Sequence, residues 1–374
     1  MMPRILLLST SLGMGGADRQ ILYLARALLA HDYEVRLVSM TPPEEMGRQA
    51  VADGLPITSL DMQRGRADWQ AFRRMVTLLR TWRPHLLTSF MYHANLLGRL
   101  AGRWAGVPLI VTSIRSEQNG HVSRDWLMRL TNWMDHCCTT NSEHVAGSLV
   151  QRGLLSSDKT RVIPNGVDIA ALSASSDERE RIRAELGLAP GEFLWLAVGR
   201  LLPQKDYLTL LRAFQPLAGA PARLFVAGRG PLLGELQQQA EQLGIASRVA
   251  FLGVRQDVPA LLTAADGFVL SSAWEGMPNV VMEALASATP VVATRVGGVA
   301  ELVEPRKSGL LVPPRDSDAL SRAMLELMSL STEQRRQMGL SGRDHVTARY
   351  GLGAMADRWM ALYGELLTRK GVSR

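Results

Sequence analysis

The chain has 374 residues, of which 47% are hydrophobic and 21% charged, and its formal net charge is +7. This length is too great for one ordinary hydrophobic core, so we expect two domains with the composition of a globular protein. No apolar run approaches the roughly 20 residues that span a bilayer, and the short first run is expected to form a buried strand rather than a signal peptide.

The two cysteines of the chain, Cys137 and Cys138, are adjacent. This excludes the disulfide framework of a small secreted protein, and no Cys and His spacing suits a zinc site. We expect both to be reduced strand residues in a cytosolic protein.

Apolar runs typical of strands alternate with helical patterns along nearly the whole chain. In the first half, strands are predicted at residues 4–9, 34–40, 85–90, 109–114, 136–141 and 161–164. Helices are predicted there at 18–30, 68–81, 94–105 and 142–152. In the second half, strands are predicted at 193–198, 223–227, 249–252, 267–270, 291–294 and 309–312. Helices are predicted there at 207–216, 234–243, 258–263, 278–287, 298–303 and 316–328, and the tail 332–367 is helical.

Repeated strand–helix–strand units predict an α/β fold with parallel sheets covered by helices on both faces. The pattern pauses in a segment rich in Ala, Ser and charge, which predicts a linker at 171–190. We therefore expect a Rossmann-like domain at 1–170, a second one at 191–350, and a C-terminal helix at 351–374 that packs back on the first. Two doubly wound domains in tandem are expected to face each other across a cleft.

Two candidate sites follow strands of the first half. The loop with Gly15 and Gly16 opens the first helix, but it is not a dinucleotide fingerprint, because Asp18 stands where the third glycine is required. The glycines let the backbone approach a ligand closely, or they form a plain turn. His93 lies just past the third strand, where ligands bind in such sheets, and a purely structural histidine is the alternative.

Two turns follow strands of the second half. Arg200 and Lys205 flank a turn where two cations can neutralise a diphosphate, and two solvated surface cations are the alternative. Gly228 and Gly230 form another tight turn into a helix, which is a weak signal by itself.

The segment 271–284 combines two carboxylates with a helix start. Glu275 precedes Pro278, which suits the first helical turn, and Glu283 lies within the helix. Carboxylates that bracket a helix N-terminus can hold a polyhydroxylated ligand. The alternative is one Glu favoured by the helix dipole and one unrelated surface Glu.

Much of the positive charge lies between Arg64 and Arg83, which hold six arginines and one acidic residue, a local charge of +5. Apolar residues recur there at helical spacing, which is typical of a basic amphipathic helix on an anionic membrane. An ordinary surface helix with arginines on its wet face is the alternative. No motif for nucleic acid accompanies the charge, so none is expected as a partner.

Taken in chain order, these motifs resemble the family 4 retaining glycosyltransferases of the GT-B fold over nearly the whole chain. Gly15 to Arg19 is similar to the Gly-Gly-Ala-Glu-Arg turn of that family, with Asp18 in place of Glu, and His93 matches a histidine of its N-terminal domain. Glu275 with Glu283 is similar to its paired-glutamate signature. Several such motifs in chain order are more specific than any one of them.

The resemblance implies roles for these residues. Catalytic roles fall to Glu275, His93, Arg200 and Lys205, with His93 near the sugar on the acceptor side. The donor-binding residues that it implies are Gly15, Gly16, Arg200, Lys205, Gly228, Gly230, Glu275, Gly276, Met277, Pro278, Asn279 and Glu283. Within this set, Arg200 and Lys205 are expected to hold the diphosphate, Glu283 the ribose and Glu275 the sugar. Many members carry a second His where this chain has Arg115, so Arg115 and Glu117 are the candidates for acceptor recognition.

The resemblance implies retaining transfer of a hexose-type sugar from a nucleoside-diphosphate sugar, commonly a UDP-sugar, with no tightly bound cofactor and no metal. The lack of an Asp-x-Asp pair near a strand end fits that expectation. A saccharide or a polyprenyl- or lipid-linked saccharide is the expected acceptor, in cell-envelope polysaccharide or lipopolysaccharide synthesis. The expected location is the cytoplasm, with peripheral contact at the inner face of the cytoplasmic membrane. The alternatives are a nucleotide-sugar 2-epimerase on the same fold and a catalytically silent nucleotide-sugar-binding subunit.

Overall fold

The structure is a computed structural model that describes residues 2–13, 15–63, 65–66, 68–117, 122–172 and 176–371. The chain divides into two compact units. Unit 1 comprises Met1–Gly166 and Leu352–Arg374, and unit 2 comprises Val167–Gly351. Within the described residues, no helix is both long and apolar enough to cross a membrane.

Unit 1 contains a seven-stranded parallel sheet with the order β3-β2-β1-β4-β5-β6-β7. Its strands are β1 (Arg4–Ser9), β2 (Glu34–Ser39), β3 (Ile57–Ser59), β4 (Leu86–Phe90), β5 (Leu109–Ile114), β6 (Cys137–Thr140) and β7 (Thr160–Val162). Its first helices are α1 (Gly16–Leu29), α2 (Glu45–Ala52), α3 (Trp69–Trp82), α4 (Tyr92–Ala105), α5 (Val122–Thr131) and α6 (Glu143–Gln151).

The central strand β1 shows why this sheet is parallel and covered on both faces. Ile5 and Leu7 pack into one hydrophobic core with α1, whereas Leu6 and Leu8 pack into another with α3 and α4. Successive side chains of a strand point to opposite faces, so a continuous apolar run requires apolar partners on both sides. The uninterrupted run of β1 in the sequence therefore specifies a two-sided core.

Unit 2 contains a six-stranded parallel sheet with the order β10-β9-β8-β11-β12-β13. Its strands are β8 (Phe193–Val198), β9 (Ala222–Ala227), β10 (Val249–Gly253), β11 (Gly267–Leu270), β12 (Val291–Thr294) and β13 (Gly309–Val312). Its helices are α7 (Ser176–Glu185), α8 (Tyr207–Phe214), α9 (Leu233–Gln242), α10 (Val258–Ala264), α11 (Asn279–Ala286), α12 (Val299–Leu302), α13 (Ser317–Ser329) and α14 (Thr332–Tyr350).

The boundaries of the units differ from the predicted linker at 171–190. Helix α7 lies inside that range, and its Ile182 is fully buried in the core of unit 2. Arg179 and Arg183 of the same helix pair with Asp266 at 2.6 and 2.9 Å. The chain passes between units at residues 166 and 167 instead, because these contacts attach α7 to unit 2.

The predicted helical tail consists of two helices that meet at Gly351. The second, α15 (Leu352–Arg369), belongs to unit 1. Its Trp359 and Tyr363 are buried in the same core as Ile5, and the hydroxyls of Tyr363 and Thr88 lie 2.7 Å apart. The return of this helix completes the core of unit 1.

The apolar face of α3, the helix of the basic segment, packs into a hydrophobic core of unit 1. Arg64 is outside the described residues. In α3, Met75, Leu79 and Trp82 are buried in the core shared with α4. A helix face that packs into the core is not available to a bilayer, so the apolar stripe of α3 forms no membrane surface, and membrane contact by its exposed arginines stays a prediction. Trp69, stacked on Phe72, is exposed at its start.

Candidate functional site

The strand order of unit 2 defines where a ligand is expected. β9 and β10 lie on one side of β8, whereas β12 and β13 lie on the far side of β11, so the order reverses between β8 and β11. Doubly wound sheets bind ligands at the carboxyl edge of such a switch point. The turn after β8 carries Arg200 and Lys205, and the loop after β11 carries Glu275. The topology thus brings together two motifs that lie 70 residues apart.

Lys205 and Glu275 form a direct ion pair. The Lys205 Nζ lies 2.5 Å from Glu275 Oε1, and the Ser272 hydroxyl donates to the same oxygen at 2.7 Å. The amide of Gln204 donates to the other oxygen at 3.3 Å and to the Trp274 carbonyl at 3.0 Å. Glu275 is only 6% exposed. Three donors therefore fix the orientation of a buried carboxylate at the switch point.

Two further hydrogen bonds join the loop that carries Lys205 to the loop that carries Glu275. The Ser271 hydroxyl donates to the Lys205 carbonyl at 2.8 Å, and the Ala273 N–H donates to the Gln204 carbonyl at 2.8 Å. Because buried polar groups that are satisfied in this way resist displacement, the loops form a rigid base for the site. Sequence reasoning missed Gln204 and Ser272, although both lie next to residues that it selected.

The glutamate loop leads directly into α11. Pro278 stands at the N-cap position, immediately before the first helical residue, rather than within the first turn. Gly276 and Met277 are buried beside it, and Asn279 is half-buried. The N-terminal end of a helix favours negative charge. Because α11 begins at the switch point, its N-terminus adds positive potential there to the charge of Lys205.

Glu283 and Arg200 occupy the two flanks of this arrangement. Glu283 lies in the second turn of α11 and is half-buried. Arg200 directly follows the turn at Gly199 after β8 and is exposed. Neither residue contacts the Lys205–Glu275 pair among the described hydrogen bonds and ion pairs, so their predicted contacts with the ribose and diphosphate stay predictions.

The glycines after β9 have a packing role that the sequence did not reveal. A Cβ on Gly228, whose φ is +148°, would lie 1.9 Å from the Gly199 carbonyl oxygen. A Cβ on Gly230 would lie 2.2 Å from the Leu201 carbonyl oxygen. The turns after β8 and β9 therefore touch backbone to backbone, which requires glycine. This contact accounts for both glycines without a ligand, and their role in donor binding stays a prediction.

A further glycine, Gly297, packs against the backbone of Glu275. Gly297, in the turn after β12, has a φ of +51°, and a Cβ there would lie 2.3 Å from the Glu275 carbonyl oxygen. The Gly298 N–H donates to the Gly276 carbonyl at 2.6 Å. Gly297 is thus a positioning residue of the site, and its adjacent glycine is the sequence signal for such a turn.

Unit 1 has its own switch point, between β1 and β4. The loop with Gly15 and Gly16 follows β1, and His93 follows β4. The Thr10 hydroxyl of that loop accepts a hydrogen bond from the Ala94 N–H at 3.3 Å, which joins the loop to the start of α4. The topology therefore places the predicted residues of the first half at one edge of the sheet.

Asp18 organises the glycine loop. Its carboxylate accepts hydrogen bonds from the N–H groups of Gly13 and Gly15 at 3.1 and 3.2 Å. Burial, with a smaller contribution from the nearby Glu44, raises the pKa of Asp18 to about 6 against the lowering effect of these hydrogen bonds. Asp18, which stands where a dinucleotide fingerprint requires glycine, thus occupies the N–H groups of the loop with its own carboxylate.

His93 is exposed in the first turn of α4, edge-on to Tyr92 with ring centroids 5.1 Å apart. Partial desolvation of the ring lowers its pKa, and the positive charge of Arg124 adds to this effect. The preceding Met91 has φ 74° and ψ 160°, a conformation normally reserved for glycine that costs about 1–3 kcal/mol. Strain next to a candidate catalytic residue indicates a constrained position for that side chain.

Arg115 makes contacts within unit 1. Its guanidinium lies 5.1 and 5.9 Å from the ring centroids of Phe90 and Trp359, and it donates to Asn165 Oδ1 at 2.8 Å. Burial lowers its pKa to about 10. These contacts join the end of β5 to the segment where the chain leaves unit 1. Its predicted role in acceptor recognition stays a prediction beside this structural one.

Glu117 is held by helix α6. Its Oε1 accepts from the Ser148 hydroxyl at 2.7 Å, and His144 lies 3.5 Å from the other carboxylate oxygen. Its backbone carbonyl accepts from Arg152 at 3.0 Å. The carboxylate therefore points to α6, and acceptor recognition by Glu117 requires it to leave these partners.

One Asp-x-Asp spacing does occur near a strand end, contrary to the sequence expectation, at Asp316 and Asp318. Asp316 is the N-cap of α13 and accepts from the Ala319 N–H at 2.8 Å. The pair is therefore used to start a helix. Across the described part of the chain, no group of three His, Cys, Asp or Glu side chains is placed to hold a metal ion.

Two doubly wound units, each with polar residues at its switch point, define the GT-B class of fold, as predicted. Residues 15–166 match the family model of the glycosyl transferase 4-like domain, and residues 178–345 match that of the glycosyl transferases group 1. The chain belongs to the group 1 glycosyl transferases and is a glycosyltransferase.

Two glycosyltransferases of similar sequence support this assignment. The chain is 26% identical over 315 residues to the UDP-Gal:alpha-D-GlcNAc-diphosphoundecaprenol alpha-1,3-galactosyltransferase of Escherichia coli, across 81% of each chain. It is 32% identical over 263 residues to the GDP-mannose-dependent alpha-(1-6)-phosphatidylinositol monomannoside mannosyltransferase of Mycolicibacterium smegmatis, across 66% of this chain and 68% of that one.

Solved structures share the fold. Anabaena Alr3699/HepE in complex with UDP matches with a TM-score of 0.85 and 23% identity, across 97% of this chain and 100% of that one. At this identity the likeness shows the fold alone. The reaction and the substrates of this chain are therefore inferred from its own residues.

Proposed function

We propose that this chain is a retaining, metal-independent glycosyltransferase that moves a hexose-type sugar from a nucleoside-diphosphate sugar. The proposed nucleotide is UDP, and the acceptor is a saccharide or lipid-linked saccharide of cell-envelope polysaccharide synthesis. The observation that carries this proposal is the buried Lys205–Glu275 pair at the switch point of unit 2. The name of the Escherichia coli relative, with its UDP-linked donor and diphosphoundecaprenol acceptor, supports the substrate classes.

The first step is an exchange of partners by Lys205. Without donor, its ammonium neutralises Glu275 at 2.5 Å. A donor diphosphate offers that ammonium a more highly charged partner, and the released carboxylate then accepts hydrogen bonds from sugar hydroxyls. Arg200 adds a second cation to the diphosphate, and Glu283 accepts from the ribose hydroxyls. The ion pair thus keeps both groups oriented until the substrate replaces it.

In the reaction, the bond from the anomeric carbon to the phosphate oxygen breaks while the bond to the acceptor oxygen forms. Attack from the side of the leaving group retains the anomeric configuration, and the acceptor proton moves to the departing phosphate oxygen. Negative charge grows on the diphosphate, where Lys205, Arg200 and the N-terminus of α11 stabilise it without a metal. Glu275 has a positioning role toward the sugar, and His93 acts on the acceptor side.

The test is a panel of UDP-, GDP- and other nucleotide sugars with the purified full chain, read by thermal shift and by release of the nucleoside diphosphate. We expect stabilisation by one donor, acceptor-dependent release, and a product of unchanged anomeric configuration by NMR. Lys205→Met should lower turnover about 100-fold or more, since it removes a preorganised charge from the transition state. Lys307→Met, an exposed lysine of unit 2, is the matched control.

Other outcomes would identify the alternatives. Conversion of the donor to its isomer without any acceptor would establish a nucleotide-sugar 2-epimerase. Donor binding without turnover by any acceptor in the panel would indicate a silent binding subunit. Normal turnover in Glu275→Gln together with Lys205→Met would contradict the site itself, because both charges that carry the proposal would be absent.

A further inference from the structure

Unit 1 exposes large apolar side chains on a flank other than α3. Trp104 of α4, Trp126 of α5 and Trp133 just beyond α5 are 66%, 67% and 64% exposed. Tryptophan is rarely left so open to water, and a cluster of exposed apolar residues marks an interaction surface. Leu100, Leu127 and Leu130 are exposed on the same two helices.

Helical spacing groups these residues into one face on each helix, since Leu100 and Trp104 are four residues apart on α4. Trp126, Leu130 and Trp133 recur at spacings of four and three residues, which places them on one face. Arg103 of α4 connects that face to α4, because it lies 5.7 Å from the Trp133 ring centroid and donates to the Met134 carbonyl at 2.8 Å. We call this the tryptophan surface; it consists of Leu100, Trp104, Trp126, Leu127, Leu130 and Trp133.

Positive charge lies beside the tryptophan surface. Residues 61–135 hold eleven arginines and five acidic residues, a charge of +6 within a chain that carries +7. Arg99 is buried against Asp135, so the positive charge at the surface comes from exposed arginines of α3, α4 and α5 such as Arg80, Arg103 and Arg129. Arg80 of α3 extends the positive zone to α4, where it donates to the Trp104 carbonyl at 3.1 Å.

Two basic cavities adjoin the surface at the amino edge of the sheet. One, of about 620 Å³, is lined by Arg4, Arg80, Arg83 and His85. The other, of about 300 Å³, is lined by Trp133 together with Arg103, His136, Lys159, Arg369 and Lys370. The single acidic residue in either lining is Asp135, which is buried and paired with Arg99 at 2.5 Å. Both cavities are suited to phosphate groups.

We propose that the tryptophan surface docks on a bilayer that carries anionic phosphate headgroups. Tryptophan prefers the headgroup level of a membrane, where its ring is partly apolar and partly hydrogen-bonded. Arginines around such rings attract anionic lipids, and the basic cavities receive their phosphates. The inference deepens the proposed function, on which it rests, because it places the acceptor at a membrane.

The surface also reaches the edge of unit 1 that carries His93. Helix α5 begins beside the first turn of α4, where Arg124 lies 5.2 Å from the Tyr92 ring centroid, and its chain continues to Trp133. A bilayer on this flank would therefore extend from the basic cavities to the neighbourhood of His93. A lipid-linked acceptor is the substrate that such an arrangement serves.

The experiment is vesicle flotation of the purified full chain with phosphatidylcholine alone and with phosphatidylcholine mixed with phosphatidylglycerol. We expect flotation with the anionic vesicles, weaker flotation with the neutral ones, and loss of binding at high salt. Trp126→Ser combined with Leu130→Ser should lower the partition coefficient about tenfold or more. Trp69→Ser, equally exposed but on α3, is the matched control and should bind normally.

A second variant tests the charges. Arg83→Gln with Lys370→Gln removes one cation from each cavity and should lower partitioning about fivefold per charge. No flotation with anionic vesicles, or unchanged flotation of both double variants, would overturn the proposal. So would a stable dimer in sedimentation that Trp126→Ser with Leu130→Ser dissociates, since a second copy would then be the partner. Nucleoside-diphosphate release with a water-soluble acceptor tests the proposed function separately, because it needs no vesicle.

Discussion

Replacement of Lys205 by methionine tests the ion pair on which the proposed site depends. The variant keeps the apolar stem but leaves the buried Glu275 carboxylate without its cation. Removal of one partner from a buried ion pair costs about 3–5 kcal/mol. The Lys205 side chain is 16% exposed. Water therefore screens the pair in part, and we expect a loss of roughly 2–3 kcal/mol.

The double variant separates stability from activity. Lys205→Met with Glu275→Gln removes both charges, and the glutamine can still accept from Ser272. We expect the double variant to be about 1–2 kcal/mol more stable than the sum of the single changes predicts, because the groups are in direct contact. Turnover should stay at or below the level of Lys205→Met, since neither the diphosphate nor the sugar retains its charged partner.

The assay is native-state hydrogen exchange of amides in β8 and β11, because it reports the stability of unit 2 separately from that of unit 1. Exchange in these strands should accelerate in Lys205→Met and recover in the double variant, while β1 of unit 1 is unaffected. If Lys205→Met leaves exchange in β8 and β11 unchanged, or if the two changes are strictly additive, the ion pair does not couple the loops and the reasoning fails.

Three further predictions concern the supports of the two sites. Gly228→Ala places a Cβ 1.9 Å from a carbonyl oxygen, so thermal unfolding should show a loss above about 3 kcal/mol, and wild-type stability would refute the packing role. The pKa of Asp18 is raised from 3.8 to about 6, so the folded state holds its proton more tightly and unfolding free energy should fall by roughly 2–3 kcal/mol as pH rises through this interval. Asp18→Asn should remove that slope in denaturation at several pH values, whereas a persistent slope would exclude Asp18 as its source. Gln20→Ala breaks two buried 2.7 Å hydrogen bonds to Gly166 and should cost about 2 kcal/mol in denaturation, against no change in exposed Gln70→Ala.

Buried strands were predicted well because their local sequence contains most of the required information. β8 and β11 begin and end where the sequence predicts, since each is a continuous apolar run covered on both faces. The edge strand β3 was missed, because three half-exposed residues leave no such pattern. Helix α5 was also missed, although Trp126 and Leu130 recur at helical spacing, because the segment is short and mixes its apolar residues with charged ones.

The sequence selects the candidate residues, whose roles stay predictions, but it does not show which of them touch. Glu275 and Lys205 could be selected because each follows a strand that the sequence reveals, and residues after parallel strands share one edge. That the two touch depends on β8 and β11 being neighbours, which is a property of strand order. The strain at Met91 has no local signal, because positive φ at this residue depends on contacts with the next strand.

The sequence by itself determined the alternation of strands and helices, the two-part organisation and the family of the chain, because periodicity and strand-end motifs are local properties. Only the tertiary structure decided what each polar or apolar face contacts. It placed the stripe of α3 in the core, paired Lys205 with Glu275, and left the tryptophans of α4 and α5 in solvent. Packing between distant segments makes these assignments, and no local pattern contains it.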